Sequence, residues 1–70
     1  MSKELDAYFE DHGDVTTVFF NSDKAKTVAR QMFGNKLSYK GGSLYMDFST
    51  TSKSHIIIWL VSNNLSSETV

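Results

Sequence analysis

The 70-residue chain contains no cysteine, which excludes both a disulfide framework and a thiolate zinc site. It also lacks a long hydrophobic run, since the longest, residues 56–61, is far shorter than a membrane span, and its first residues lack the pattern of a secretory signal. We therefore expect a cytoplasmic protein without a membrane segment. A chain of this length makes one domain, which buries only about 60% of its unfolded surface.

Neither charge sign is in large excess, because the net charge is −1. The two signs are nevertheless separated along the chain. Residues 1–23 hold six acidic residues and one lysine, whereas residues 24–53 hold six basic residues and one aspartate. The distribution of charge is therefore more informative about binding surfaces than the total.

The first twenty residues predict a helix followed by a strand. Leu5, Tyr8 and Phe9 are spaced i, i+3 and i+4 with acidic residues between them, which indicates a short amphipathic helix over residues 3–11. After Gly13, residues 15–20 are β-branched or aromatic and predict a strand.

A second helix and a β-hairpin are predicted next. Ser22 or Asn21 caps the helix, whose apolar residues at 25, 28, 29, 32 and 33 have helical spacing, and a glycine follows at 34. Gly41 and Gly42 suit a two-residue hairpin turn. Closing the turn there predicts five pairs: Lys40 with Ser43, Tyr39 with Leu44, Ser38 with Tyr45, Leu37 with Met46, and Lys36 with Asp47.

The stretch SHIIIWLVS, residues 54–62, predicts a final strand. The element order is then α-β-α-β-β-β, and the fold class is α+β: one small domain over residues 1–62, with a four-stranded, mostly antiparallel sheet and a helix packed across one face. Residues 63–70 are rich in serine and asparagine, so we expect a frayed C-terminal tail.

The predicted final strand is apolar on both faces, which leaves three accounts. One is that these residues do not form a strand, and the other two concern the second face of the strand. In one, the acidic helix covers this face and Trp59 is ordinary core. In the other, both helices lie on the opposite face, and an exposed patch remains for a protein partner or a second copy of the chain. This predicted contact surface consists of Tyr45, Ile57, Trp59 and Val61, together with a residue of the first strand.

Two charged surfaces are further candidates for binding. A row of acidic residues on the first helix and its exit would suit a basic groove of a partner, and it comprises Glu4, Asp6, Glu10, Asp11 and Asp14. A basic surface with sheet aromatics would suit RNA or DNA, and it comprises Lys24, Lys26, Arg30, Lys36 and Lys40. Nucleic acid is the less favoured partner, because so few basic residues neutralise few phosphates.

Three short motifs contain residues that could serve catalysis, metal binding or phosphate binding, but each is a weak signal. His55 follows Ser54, but adjacent strand residues point to opposite faces, so the pair does not make a nucleophile and base. Residues 11–14, DHGD, carry metal-ligand side chains without the spacing of a calcium loop. Residues 41–43, GGS, open no helix and lack the lysine of a phosphate loop.

No catalytic or cofactor motif emerges from these patterns. We therefore expect a small non-enzymatic protein-interaction module without a cofactor or metal. By type it fits a phage or mobile-element accessory protein that binds and inhibits or modulates a host protein. A homodimer through the Trp59 surface and a nucleic-acid-binding module remain the alternatives.

Overall fold

In the computed structural model, which describes residues 5–70, a five-stranded sheet carries two helices on one face. The elements in chain order are β1 (Ala7–Asp11), β2 (Val15–Phe20), α1 (Asp23–Phe33), β3 (Ser38–Lys40), β4 (Ser43–Ser49), α2 (Lys53–Ser62) and β5 (Ser67–Thr69). The strand order is β3-β4-β2-β1-β5, and β1 with β5 is the one parallel pair among them. The predicted single α+β domain is confirmed, but the sheet is mixed and has five strands instead of four.

The N-terminal segment is a strand, so the predicted helix over residues 3–11 is wrong. Its first two residues lie outside the described part of the chain. Ala7 and Phe9 are buried on one side of β1 while Tyr8 and Glu10 lie on the other, a period of two that fits the sequence as well as the helical spacing does. Pairing with β2 over five residues decides between the two, with Gly13 at a φ of 86° in the turn.

The stretch SHIIIWLVS is a helix, so the predicted final strand is also wrong. α2 ends in a Schellman arrangement. Asn64 takes a left-handed φ of 60°, its N–H donates to the carbonyl of Val61, and the N–H of Leu65 donates to the carbonyl of Leu60. Leu60 and Leu65 are both buried, so apolar packing accompanies the hydrogen bonds at this helix end.

The C-terminal residues are paired rather than frayed. β5 lies parallel to β1, with Ala7 opposite Ser67 and Phe9 opposite Thr69. The N–H of Val70 donates to the carbonyl of Phe9 at 2.9 Å. The expectation of a frayed tail over residues 63–70 is therefore wrong, because β1 offers the tail an open strand edge that a helix would not have offered.

The predictions for α1 and for the hairpin are confirmed. The Ser22 hydroxyl accepts the N–H of Ala25 at 3.1 Å, and Gly34 follows the helix with a φ of 51°. Gly41 and Gly42 have positive φ, and the three pairs nearest the turn form as predicted. The two outer predicted pairs fall outside β3, because residues 34–36 form a 3₁₀ turn and β3 begins only at Ser38.

The core lies between the sheet and the two helices. α1 presents Ala25 and Ala29 to the sheet, and these small side chains let the helix approach it closely. The buried apolar residues are Ala7, Phe9, Val18, Phe20, Ala25, Ala29, Leu44, Met46, Leu60 and Leu65. None of the helices in the described residues is long and apolar enough to cross a membrane. One face of the sheet thus belongs to the core, and the other is left to solvent.

Candidate partner-binding face

The sheet face opposite α1 and α2, called here the open face, is covered by no helix of residues 5–70. Its members follow from strand alternation, because residues paired across neighbouring strands share a face with those two positions away. They are Tyr8 and Glu10 of β1, Val15, Thr17 and Phe19 of β2, Ser38 and Lys40 of β3, Ser43, Tyr45, Asp47 and Ser49 of β4, and Glu68 of β5.

Three aromatic side chains form a row across the open face. Phe19 of the central strand is directly opposite Tyr8 on one side and Tyr45 on the other. The ring centroids of Phe19 and Tyr45 are 5.9 Å apart, with the rings tilted by 40°. All three side chains are half-buried. A rigid backbone ladder therefore holds an aromatic platform that is partly exposed to solvent.

The charges of the open face are mainly negative. Glu10 and Asp47 lie in the row next to the aromatic one, on either side of Thr17, whereas Glu68 is paired with Tyr8. Lys40, at the turn end, is the single ammonium group among the residues assigned to this face. The Thr17 hydroxyl donates to Asp47 Oδ1 at 2.5 Å, which orients that carboxylate.

A shallow pocket of about 280 Å³ opens on this face. It is lined by Thr17, Phe19, Lys40, Ser43, Tyr45 and Asp47. The pocket thus combines an aromatic wall, one carboxylate and one ammonium group, and it is large enough to receive a side chain of a partner.

The four residues of the predicted contact surface do not lie together. Tyr45 is on the open face, and the residue from the strand of residues 15–20 that lies beside it there is Phe19. The other three are on α2, which covers the opposite face. The Trp59 ring lies against Phe33 with a centroid distance of 4.9 Å, Ile57 packs against the core, and Val61 is 65% exposed.

The predicted acidic row is likewise divided, and Glu4 lies outside the described residues. Glu10 is on the open face, where Oε1 is 3.3 Å from Nε2 of His12. Asp11 instead binds Lys53 at the start of α2, with both carboxylate oxygens 3.1 Å from Nζ. This hydrogen bonding lowers the pKa of Asp11. Asp14 is exposed in the turn before β2.

Asp6 joins the N-terminal segment to the C-terminal one. Its carboxylate accepts the backbone N–H of Ser66 at 2.8 Å. Hydrogen bonds from the Ser22 side chain and from that N–H hold the pKa of Asp6 below its usual value. Asp6 therefore holds the chain just before β5 against the N-terminal segment, and we call it the clamp on β5. Its carboxylate already accepts hydrogen bonds within the chain.

The predicted basic surface is spread over both sides of the molecule. Lys24, Lys26 and Arg30 belong to α1, on the helical side, whereas Lys40 is on the open face. Arg30 is engaged within the chain, because its Nε donates to the Tyr39 hydroxyl at 2.9 Å and its guanidinium lies over the Tyr39 ring. Lys36 is in the 3₁₀ turn before β3. These positions do not make one basic stripe.

The weak chemical motifs take structural positions. His55 lies exposed on α2 and not on the predicted final strand. Residues 12–14 form the turn between β1 and β2, and no group of three potential metal ligands occurs within residues 5–70. Sequence reasoning missed Tyr8, Thr17, Asp47 and Glu68 as members of this face, and it assigned Glu10 to a helix. For Tyr8 and Glu10, the alternation with Ala7 and Phe9 was the available signal.

Comparison with protein-family models, with curated proteins and with solved structures finds no match for this chain. The class that fold and site define is a small α+β domain with one helical layer and one open sheet face carrying an aromatic row.

Proposed function

We propose that the protein is a small non-enzymatic interaction module that binds another protein through its open face and thereby inhibits or modulates it. The observation that supports this is the row of Tyr8, Phe19 and Tyr45 across a sheet face without a helix over it. Tyrosine and phenylalanine are enriched in protein interfaces, because they bury large areas while losing little conformational entropy. The assignment to phage or mobile-element accessory proteins stays a prediction.

Charge favours a protein over nucleic acid as the partner. Aromatic rings on a sheet suit base stacking, but the carboxylates of Glu10, Asp47 and Glu68 border this row, and they would repel phosphates. The predicted homodimer also stays a prediction.

The proposal is tested by capturing partners from a lysate of the native host with immobilised wild-type protein and with three variants. Phe19→Thr and Tyr45→Ala remove rings of the open face, and Phe19→Thr keeps a β-branched residue in β2. Val61→Ser on α2 is the matched control on the other side of the molecule. Thermal unfolding of each variant establishes that it is folded.

We expect the two open-face variants to retain at least about tenfold less partner than the wild type, because central aromatic residues dominate interface energy. Val61→Ser should retain the wild-type amount. Folded open-face variants that keep the partner, or loss of the partner in Val61→Ser alone, would move the contact surface to the helical side. A captured nucleic acid instead of a protein would favour the alternative module.

A further inference from the structure

The aromatic row is bordered by carboxylates, a combination that selects the chemistry of a partner. Asp47 is two residues from Tyr45 on β4, and Glu10 is two residues from Tyr8 on β1. Both carboxylates therefore lie beside the aromatic row on the same face. A cation that lies over one of these rings would also meet a carboxylate.

The chain already uses such pairings within its own fold. The Arg30 guanidinium lies 5.8 Å from the centroid of the Tyr39 ring, and Lys53 Nζ lies 5.6 Å from that of the Phe9 ring while it binds Asp11. These are distances at which a cation is attracted to a ring face. Within residues 5–70, no such cation lies over Phe19 or Tyr45.

We propose that the open face binds a segment of a partner protein that carries arginine or lysine, and that one cationic side chain enters the pocket between the Tyr45 ring and the Asp47 carboxylate. Arginine fits best, because its planar guanidinium stacks on a ring and donates to a carboxylate in the same pose. Thr17 holds Asp47 Oδ1, so the carboxylate is oriented before a partner arrives. This inference rests on the proposed function, and it adds the charge of the partner.

Lys40 sets the direction in which such a segment lies. Lys40 lines the pocket at the turn end of the strands, whereas Glu10 and Asp47 are toward their other end. A cationic side chain is therefore drawn toward Asp47 and away from Lys40. Removing the Lys40 charge should strengthen binding of a cationic segment, which is the opposite of what a nucleic-acid site would show.

The direct test uses three probes: a nine-residue peptide of alternating arginine and serine, the same peptide with glutamate for arginine, and a nine-nucleotide single-stranded DNA. Each is titrated into the isotopically labelled full chain, and backbone amide shifts are followed by NMR. We expect the arginine peptide to shift amides of residues 17–19 and 45–47. Neither anionic probe should shift them.

Charge variants then separate a specific contact from general attraction. Asp47→Asn keeps an oxygen for the Thr17 hydroxyl, so the fold is retained while the charge is lost; we expect the arginine peptide to bind it at least about fivefold more weakly. Asp23→Asn removes the same charge from α1 and should change affinity less than about twofold. Lys40→Gln should bind the peptide more tightly than the wild type does.

Equal weakening by Asp23→Asn and Asp47→Asn would overturn the inference, because binding would then follow net charge only. Shifts confined to α2, or binding of the DNA at this face, would overturn it as well. Partner capture distinguishes failure of this inference from failure of the proposed function. If the natural partner is lost with Phe19→Thr but retained with Asp47→Asn, the proposed function stands and the cationic segment is wrong. If Phe19→Thr also retains it, the proposed function fails too.

Discussion

At the scale of single residues, the change of residues 54–62 from predicted strand to helix redistributes every side chain. Alternation in a strand would place Ile57, Trp59 and Val61 on one face. In a helix, neighbouring residues are about 100° apart, and Ile57 and Val61 therefore lie near each other while Trp59 points elsewhere. The Trp59 ring points toward the core, where it meets the edge of Phe20 at a centroid distance of 6.2 Å.

Trp59→Ala should therefore lower the free energy of unfolding by about 3 kcal/mol, through lost apolar burial and a cavity beside Phe33. Urea unfolding monitored by circular dichroism measures this change. Val61→Ala, at an exposed position of the same helix, should stay within about 0.5 kcal/mol of the wild type. A Trp59→Ala protein as stable as the wild type would mean that Trp59 is a surface residue after all.

At the scale of elements, local signals predicted some segments and misled for others. α1 carries a serine cap, helical spacing and a terminal glycine that all agree, and the hairpin carries two adjacent glycines. In α2 the three isoleucines favour a strand, whereas Asn63 and Asn64 are a helix stop signal. The structure agrees with the stop signal. The opposing strand preference is weak, because each β-branched residue costs a helix less than about 1 kcal/mol relative to a good helix former.

The attachment of β5 should depend on pH through Asp6. Because its carboxylate accepts hydrogen bonds in the folded chain, the pKa of Asp6 is lowered from its usual 3.8. A lowered pKa means that this stability is present above pH 3.8 and is lost as the pH falls through the lower, folded value. Asp11 contributes with the same sign, because Lys53 lowers its pKa.

Asp6→Asn should therefore make stability less dependent on pH below about 4, and it should speed amide hydrogen exchange of residues 67–69 near neutral pH. Unfolding midpoints at several pH values and exchange measured by NMR provide the two readouts. Asp23→Asn, at an exposed carboxylate on α1, is the control. An unchanged acid response in Asp6→Asn would remove Asp6 as the clamp on β5.

At the scale of the whole molecule, the sheet order determines where stability is concentrated. β2 lies in the middle, with β4 and β1 on either side, and its residues Val18 and Phe20 are buried in the core. β3 and β5 are three-residue strands at the two edges. The open face spans all of these strands, so its central residues are the most rigidly held.

We expect native-state hydrogen exchange to follow this order, with amides of β2 protected at least about a hundredfold more than those of β3 and β5. Exchange monitored residue by residue by NMR at constant pH gives the ranking. The amides of α1 serve as an internal reference, because they do not belong to the sheet. Protection of β5 equal to that of β2 would show that the sheet opens as one unit.

The α+β class, α1, β2 and the hairpin can be predicted from local patterns, because their caps, turn glycines and residue spacing act over a few neighbouring residues. Residues 7–11 and 54–62 cannot, since each stretch fits both a helical and a strand pattern and its conformation depends on partners that are distant in sequence. β1 forms because β2 and β5 pair with it. α2 forms because its apolar residues, together with those of α1, cover the apolar face of the sheet. The aromatic row also depends on pairing between distant residues. Tyr45 could be predicted as an aromatic residue of the sheet, but Tyr8 joins the row only because residues 7–11 form β1.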